Sequence, residues 1–154
     1  MNLDFDLLIP NLAPMLRSCL GAEMTGPAEA LQSEPRKQVI LVVDDENGIR
    51  EFLAAYLQSK NFKVITAGSA EEVFKTWPDI RNEVDLLITD IVMPGMNGKM
   101  LADRLAEEKE SLRIIYMSGY LPEEVAEETL DGIFFRKPFH PQDLLAAVRS
   151  SLAE

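Results

Sequence analysis

The sequence predicts an α/β domain: a five-stranded, doubly wound parallel sheet with helices on both faces. Two observations carry that prediction. Short apolar runs rich in branched residues recur between residues 39 and 135, and they alternate with stretches of helical period. The runs are apolar at consecutive positions rather than at every second one, as strands covered on both faces require. Right-handed crossovers let such a chain double back once, and ligand sites then lie beyond the carboxyl ends of the strands, at the switch in strand order.

Each element follows from local chemistry. VILVV (39–43) is a buried strand by its length and β-branching. GIREFLAAYLQSK (48–60) sets Ile49, Phe52, Leu53, Tyr56 and Leu57 at helical spacing. FKVITA (62–67) is the second strand; Ser69 caps the next helix, Glu72 is its capping-box partner, and that helix runs to about Trp77. VDLLIT (84–89) is the third strand, and a helix from 98 to about 109 follows with Met100, Leu101, Arg104 and Leu105 along one side. LRIIYM (112–117) is the fourth strand, with a short helix expected near 122–129. GIFF (132–135) and the helix PQDLLAAVRSSL (141–152) complete five β–α units, Pro141 sitting in a first turn where its missing N–H costs nothing.

Residues 1–37 read differently, as an N-terminal appendage and linker ahead of a domain over 38–154. Pro10, Pro14, Pro27 and Pro35 fall there, and no strand-like run does. Leu3, Leu7, Leu8, Leu12, Met15, Leu16, Cys19 and Leu20 recur at three-to-four spacing, which predicts one or two short amphipathic helices interrupted by proline and stopped at Gly21. AEMTGPAEALQSEPRK (22–37) is polar and punctuated, the composition of a linker.

Charge and cysteine usage narrow the function. Fifteen Lys and Arg against 26 Asp and Glu give a net charge of −11, which repels nucleic-acid backbones and anionic membrane surfaces. No apolar run approaches the roughly 20 residues that span a bilayer. The lone Cys19 forms no internal disulfide, and the N-terminus lacks a basic segment followed by an apolar stretch and a cleavage site, so a reducing cytoplasm is the expected setting.

The strand ends hold the chemistry. The first run ends in Asp44-Asp45-Glu46, the third in Thr89-Asp90, the fourth in Met117-Ser118-Gly119, and Arg136-Lys137-Pro138 follows the fifth. The fold brings all of these to one rim. Carboxylates about 4 Å apart repel by roughly 4 kcal/mol per pair at an effective dielectric of 20, so the cluster calls for a cation. Oxygen donors without Cys or His, on a shallow rim with room for water, favour Mg²⁺. A carboxylate beside a divalent cation and an ammonium is equipped to attack phosphorus. Asp90 fits that role, at the end of a buried strand and ahead of the glycine-containing turn MPGMNG (93–98), with Lys137 and Ser118 gripping the phosphoryl group. Singly, each of these residues is an ordinary turn or surface residue; the argument rests on their joint placement.

Over about 38–152 these motifs resemble the receiver domain of two-component response regulators, in which an acidic pair follows strand one, the acceptor Asp ends strand three before Met-Pro-Gly-x-x-Gly, Ser or Thr ends strand four, and Lys-Pro follows strand five. The resemblance implies a flavodoxin-like strand order 2-1-3-4-5, Mg²⁺ bound by Asp45, Asp90 and the Val92 carbonyl with Asp44 holding a metal-bound water, and phosphorylation of Asp90. It implies that Ser118 and Phe134 form the switch, and a cis peptide between Lys137 and Pro138. Phe134 stands where the switch aromatic is expected and has no hydroxyl, so its inward swing is a packing event. It also implies a phosphoryl donor, a sensor histidine kinase or phosphotransfer protein, with a homodimer as a further option. The chain is shorter than usual between Ser118 and Lys137, which shortens the fourth helix and alters the usual output surface. LDFDLLIPNLAPMLRSCLG (3–21) is similar to the segment of sensor histidine kinases between the phosphoacceptor helices and the ATP-binding domain, as in a hybrid kinase reduced to its receiver.

Other functions fit less well. A phosphatase or mutase with an Asp nucleophile needs a second Asp two residues on, where this chain has Val92. No GxGxxG or GxxxxGK[ST] follows the first strand, against nucleotide or flavin binding. A degenerate receiver, binding partners without phosphorylation, is the alternative. No kinase or other enzyme activity is expected: the single His140 has no catalytic partners, and with the last helix ending at the C-terminus, output is expected to come by contact.

Overall fold

The computed structural model describes residues 35–153; the helices expected within 3–21, the stop at Gly21, Cys19, and most of the linker lie outside the described residues. VILVV forms β1 (Val39–Val43), buried along its whole length. It is followed by α1 (Asn47–Ser59), β2 (Lys63–Ala67), α2 (Ala70–Ile80) and β3 (Val84–Asp90). The chain continues with α3 (Gly98–Glu108), β4 (Arg113–Ser118), a 3-10 turn (Glu127–Thr129), β5 (Ile133–Arg136) and α4 (Pro141–Ala153). The strands pair in parallel in the order β2-β1-β3-β4-β5. This is the doubly wound sheet expected, with its switch between β1 and β3.

Alternating side chains split the core in two. Ile40, Val42, Leu86, Ile88, Ile115 and Met117 face one side and pack on Leu53 and Leu57 of α1 and Leu144 and Val148 of α4. Val39, Leu41, Val43, Leu87 and Tyr116 face the other and pack on Val73 and Trp77 of α2 and Leu101 and Leu105 of α3. Period-2 alternation in β1, β3 and β4 thus feeds two apolar layers, as a sheet covered on both faces must. The outer strands β2 and β5 are only partly covered.

Two boundaries differ from those expected, each for a physical reason, and so does the packed side of one helix. The second helix passes Trp77 and Pro78 and runs to Ile80. Proline removes a single bond in a last turn, where the Arg81 N–H still donates to the Trp77 carbonyl at 2.8 Å. The Trp77 indole and the Arg81 guanidinium both reach Glu108 Oε1 at 3.1 Å, fastening this end to α3. The short helix expected near 122–129 is only the three-residue 3-10 turn. Glu123 with Glu127, and Glu124 with Glu128, are like charges at i,i+4, and a segment so short cannot meet the cost of helix nucleation. On α3 the packed side is Leu101, Ala102 and Leu105, while Met100 is 48% exposed and Arg104 faces solvent.

Capping chemistry places the helix starts. The Ser69 hydroxyl accepts from the Glu72 N–H at 3.2 Å, as the capping box predicts, but the Glu72 carboxylate accepts from the Gly68 N–H at 2.7 Å, one residue ahead of the expected partner. Asn97 caps α3, accepting from the Met100 N–H at 2.8 Å.

Candidate functional site

The strand ends converge on one rim. β1 delivers Asp44, fully buried, and Asp45, exposed; β3 delivers Asp90, 5% exposed. One carboxylate oxygen from each of the three lies within 4.8 Å of the others. The loop after β5 brings Lys137, whose ammonium donates to Asp44 Oδ2 at 3.0 Å and to Asp90 Oδ2 at 3.2 Å. Four residues from three distant stretches of sequence therefore form one cluster of three anions and one cation. A set of hard oxygens free of sulfur and imidazole is the donor chemistry that Mg²⁺ takes, so these residues fit the ion.

Local structure holds each group in place. Asp44 Oδ1 accepts from the Glu46 N–H at 2.9 Å, and the Asp44 N–H donates to the Ala67 carbonyl at 3.2 Å. Asp90 is aimed by the turn behind it. A Cβ on Gly98 would lie 2.0 Å from the Asp90 carbonyl oxygen, so only glycine permits this approach. The Gly98 N–H donates to the Ile91 carbonyl at 2.8 Å, closing the loop, and Gly95 turns it at φ +79°. The MPGMNG turn thus uses one glycine for backbone freedom and the other for space. The Thr89 hydroxyl donates to the Asp90 carbonyl at 2.9 Å from the buried side.

The electrostatics follow from burial. Burial pushes the Asp90 carboxyl above the usual aspartate value, and Asp44 adds to that; Lys137 opposes both without cancelling them. Burial alone would lower the Lys137 ammonium, but its hydrogen bonds and charge contacts with Asp44 and Asp90 more than offset this and hold it above its ordinary value. The site is short of positive charge, and Asp90 bears the excess.

The other expected residues lie beside the cluster. Ser118 ends β4, fully buried, one residue past Met117, the register partner of Asp90. Its hydroxyl donates to the Tyr120 carbonyl at 2.5 Å, and its own carbonyl accepts from the Lys137 N–H at 2.8 Å. Val92 is half-buried, and its backbone N–H lies near enough to the Asp90 carboxylate to favour the charged form slightly. Phe134 is half-buried against the core, with the Arg136 guanidinium 5.9 Å from its ring centroid. Arg136 also donates to the Gly119 carbonyl at 3.2 Å. The Lys137–Pro138 peptide is cis, as the resemblance implied.

Sequence reasoning placed Glu46 at the rim and Gly98 in the turn without their contacts, and passed over Arg50. Glu46 lies 3.8 Å from the Lys137 ammonium, Arg50 donates to the Asp44 carbonyl, and Gly98 admits the Asp90 backbone. Glu46 and Arg50 are four apart at the start of α1, a spacing that signals a shared helix face. Nothing local to Gly98 points to residue 90, because the contact is between separate turns of the chain.

Comparison with known proteins agrees with this architecture. A model of the response regulator receiver domain matches residues 40–149. The chain is 34% identical over 120 residues to the response regulator protein TmoT of Ectopseudomonas mendocina, covering 76% of this chain and 54% of TmoT. It is 30% identical over 116 residues to the sensor kinase CckA of Brucella abortus, covering 73% of this chain and 12% of CckA. The chain therefore spans only part of the curated relatives it matches. The crystal structure of the response regulator protein TrrA of Thermotoga maritima, in complex with Mg²⁺ and BeF, superposes with a TM-score of 0.65 at 32% identity, covering 75% of this chain and 99% of that one. A rim of three carboxylates and a lysine, on a parallel sheet ordered 2-1-3-4-5 and matched by that model over most of its length, makes this chain a member of the response regulator receiver domain family.

Proposed function

We propose that residues 38–154 form the phosphoacceptor of a two-component relay, and that Asp90 takes a phosphoryl group from the phosphohistidine of a partner kinase or phosphotransfer protein. The observation that carries this reading is the Lys137 ammonium bridging Asp44 and Asp90 at a rim where Asp44, Asp45 and Asp90 bring three carboxylates together. Asp44, Asp45, Asp90 and the Val92 carbonyl would hold Mg²⁺. Bound there, the ion supplies the positive charge the site lacks and counters the charge on the phosphoryl oxygens.

The protein's own groups do the rest. Asp90, fixed by the Gly98 approach and its own strand, presents an oxygen in line with the donor's P–N bond. The new P–O bond forms as the P–N bond breaks, and the electron pair returns to the imidazole nitrogen. Lys137 is freed to follow the charge from carboxylate to phosphoryl oxygen. Ser118 leaves the Tyr120 carbonyl and donates to the phosphoryl group, and Phe134 packs inward into the space vacated. The donor must cover the rim, and an apolar cleft of about 300 Å³ lined by Gly48, Ile49, Phe52, Leu53, Pro138 and Phe139 opens beside Lys137. Phe52, 52% exposed there, offers an anchor for the donor's apolar side chains.

The chain acts in this reading as an acceptor and switch, not as an enzyme with turnover, in a reducing cytoplasm and away from nucleic acid and membrane. Among the described residues no helix is long and apolar enough to cross a membrane. Phosphorylation biases a surface that includes the connection between β4 and β5, and so the affinity for a partner, a second copy among the options. The test is labelling by radioactive acetyl phosphate. Label that depends on Mg²⁺, disappears with EDTA and is lost in Asp90→Asn but kept in Asp4→Asn is the expected result. Absence of label, together with an amide spectrum unmoved by Mg²⁺ and beryllofluoride, would leave a binding module without phosphorylation.

A further inference from the structure

We propose that Tyr116 is a positioning residue of the switch: its hydroxyl, without a partner in this conformation, gains one when the connection between β4 and β5 rearranges. The inference rests on the phosphoacceptor reading and adds to it a residue on the strand that carries Ser118.

Tyr116 lies in the middle of β4, fully buried in the layer packed on α2 and α3. Among the described residues its hydroxyl is the buried side-chain polar atom with no hydrogen-bond partner. Leaving a buried donor unpaired costs folding free energy, and a phenylalanine would fill the same space without that cost. The surroundings explain where a partner could come from. The carboxylates of Asp103 on α3 and Asp131 in the β4–β5 connection are its charged neighbours, and the Asp131 backbone N–H approaches the phenol oxygen, which leaves the hydroxyl's own proton without an acceptor. Burial first, and those charges second, push the phenol up, so it stays a protonated donor facing potential acceptors.

Ser118 connects this hydroxyl to the phosphorylation site. Two residues along the same strand, Ser118 points to the same face as Tyr116. Its hydroxyl donates to the Tyr120 carbonyl at 2.5 Å and accepts from the Tyr120 N–H at 3.4 Å. When Ser118 turns to a phosphoryl group, both bonds are lost and the connection is released at its start. Its far end carries Asp131, and between the two the only regular structure is the three-residue turn. The register partner of Tyr116 on β5 is Phe134, the aromatic whose inward packing completes the switch. Tyr116 therefore sits between the segment that is freed and the ring that moves. An acceptor from that segment closing on the hydroxyl satisfies a group that the resting conformation leaves unpaired, and so favours the phosphorylated form.

The test compares the full chain with Tyr116→Phe, both unliganded and with Mg²⁺ and beryllofluoride. Thermal melts read stability, calorimetry reads affinity, and ¹³Cζ-labelled tyrosine reads the hydroxyl's surroundings. The expected results are a higher melting temperature for unliganded Tyr116→Phe, a roughly fivefold weaker affinity of the variant for beryllofluoride with Mg²⁺, and a ligand-dependent shift of the wild-type Tyr116 signal. A merely structural tyrosine would leave the affinity unchanged. Equal affinities in a wild type that responds would overturn the inference alone, as would an unliganded variant that melts lower. A wild type with no response to Mg²⁺ and beryllofluoride would remove the phosphoacceptor reading and this inference together.

Discussion

At the scale of the residue, burial and proximity set the behaviour of Asp90. Its folded-state pKa lies above the usual aspartate value of 3.8, because burial outweighs the nearby ammonium. Folding therefore ionises this carboxyl at a cost that is present above its folded pKa and relieved as pH falls through it. Asp90→Asn in the metal-free protein is expected to raise the melting temperature at neutral pH, and that gain should shrink toward pH about 4, a trend read by melts across a pH series. Lys137 runs the other way: its contribution is fully present below its ordinary 10.5 and is lost as pH rises through the higher folded value. Gly98→Ala is expected to cost about 2–3 kcal/mol in urea unfolding, since its Cβ would stand 2.0 Å from a backbone oxygen and the loop must shift. The same variant should label more slowly with acetyl phosphate, because the displaced backbone is that of Asp90. The types and places of the acidic residues and the lysine were legible in the sequence as endings of apolar runs. The role of Gly98 was not, because its contact is with residue 90, eight positions earlier and across a turn.

At the scale of the element, local propensity predicted existence and type better than extent. Ser69 was legible as a cap because capping is chemistry within one turn; Ser69→Ala is expected to cost about 1 kcal/mol, measured by chemical denaturation. The end expected near Trp77 fell short of Ile80, since Pro78 removes only one bond there while contacts from Trp77 and Arg81 to Glu108 hold the turn from outside. The segment after β4 carries a helix-like pattern, yet its paired glutamates and short length leave one 3-10 turn. Glu127→Lys, which converts the repulsive pair with Glu123 into an attractive one, is expected to add helical signal in far-ultraviolet circular dichroism, by a few tenths of a kcal/mol in bias.

At the scale of the whole molecule, the sheet decides what is stable and what moves. β1, β3 and β4 are paired on both edges and buried on both faces, whereas β2 and β5 border the sheet. Amide exchange is expected to be slowest in the first three and fastest in the connection between β4 and β5, where opening exposes little apolar surface. Uniform protection across all five strands would contradict that gradient. The sequence by itself determined the class of fold, the alternation of its elements and the residue types at the strand ends, because period-2 and period-3.6 patterns and caps are written within a few residues. Only the tertiary structure decided that Asp44, Asp45, Asp90 and Lys137 meet within hydrogen-bonding or ion-binding reach, that glycine at 98 is required for space, and that Tyr116 is buried with its hydroxyl unpaired. Those are distances between segments far apart in the chain, set by strand order and register, and no local pattern encodes them.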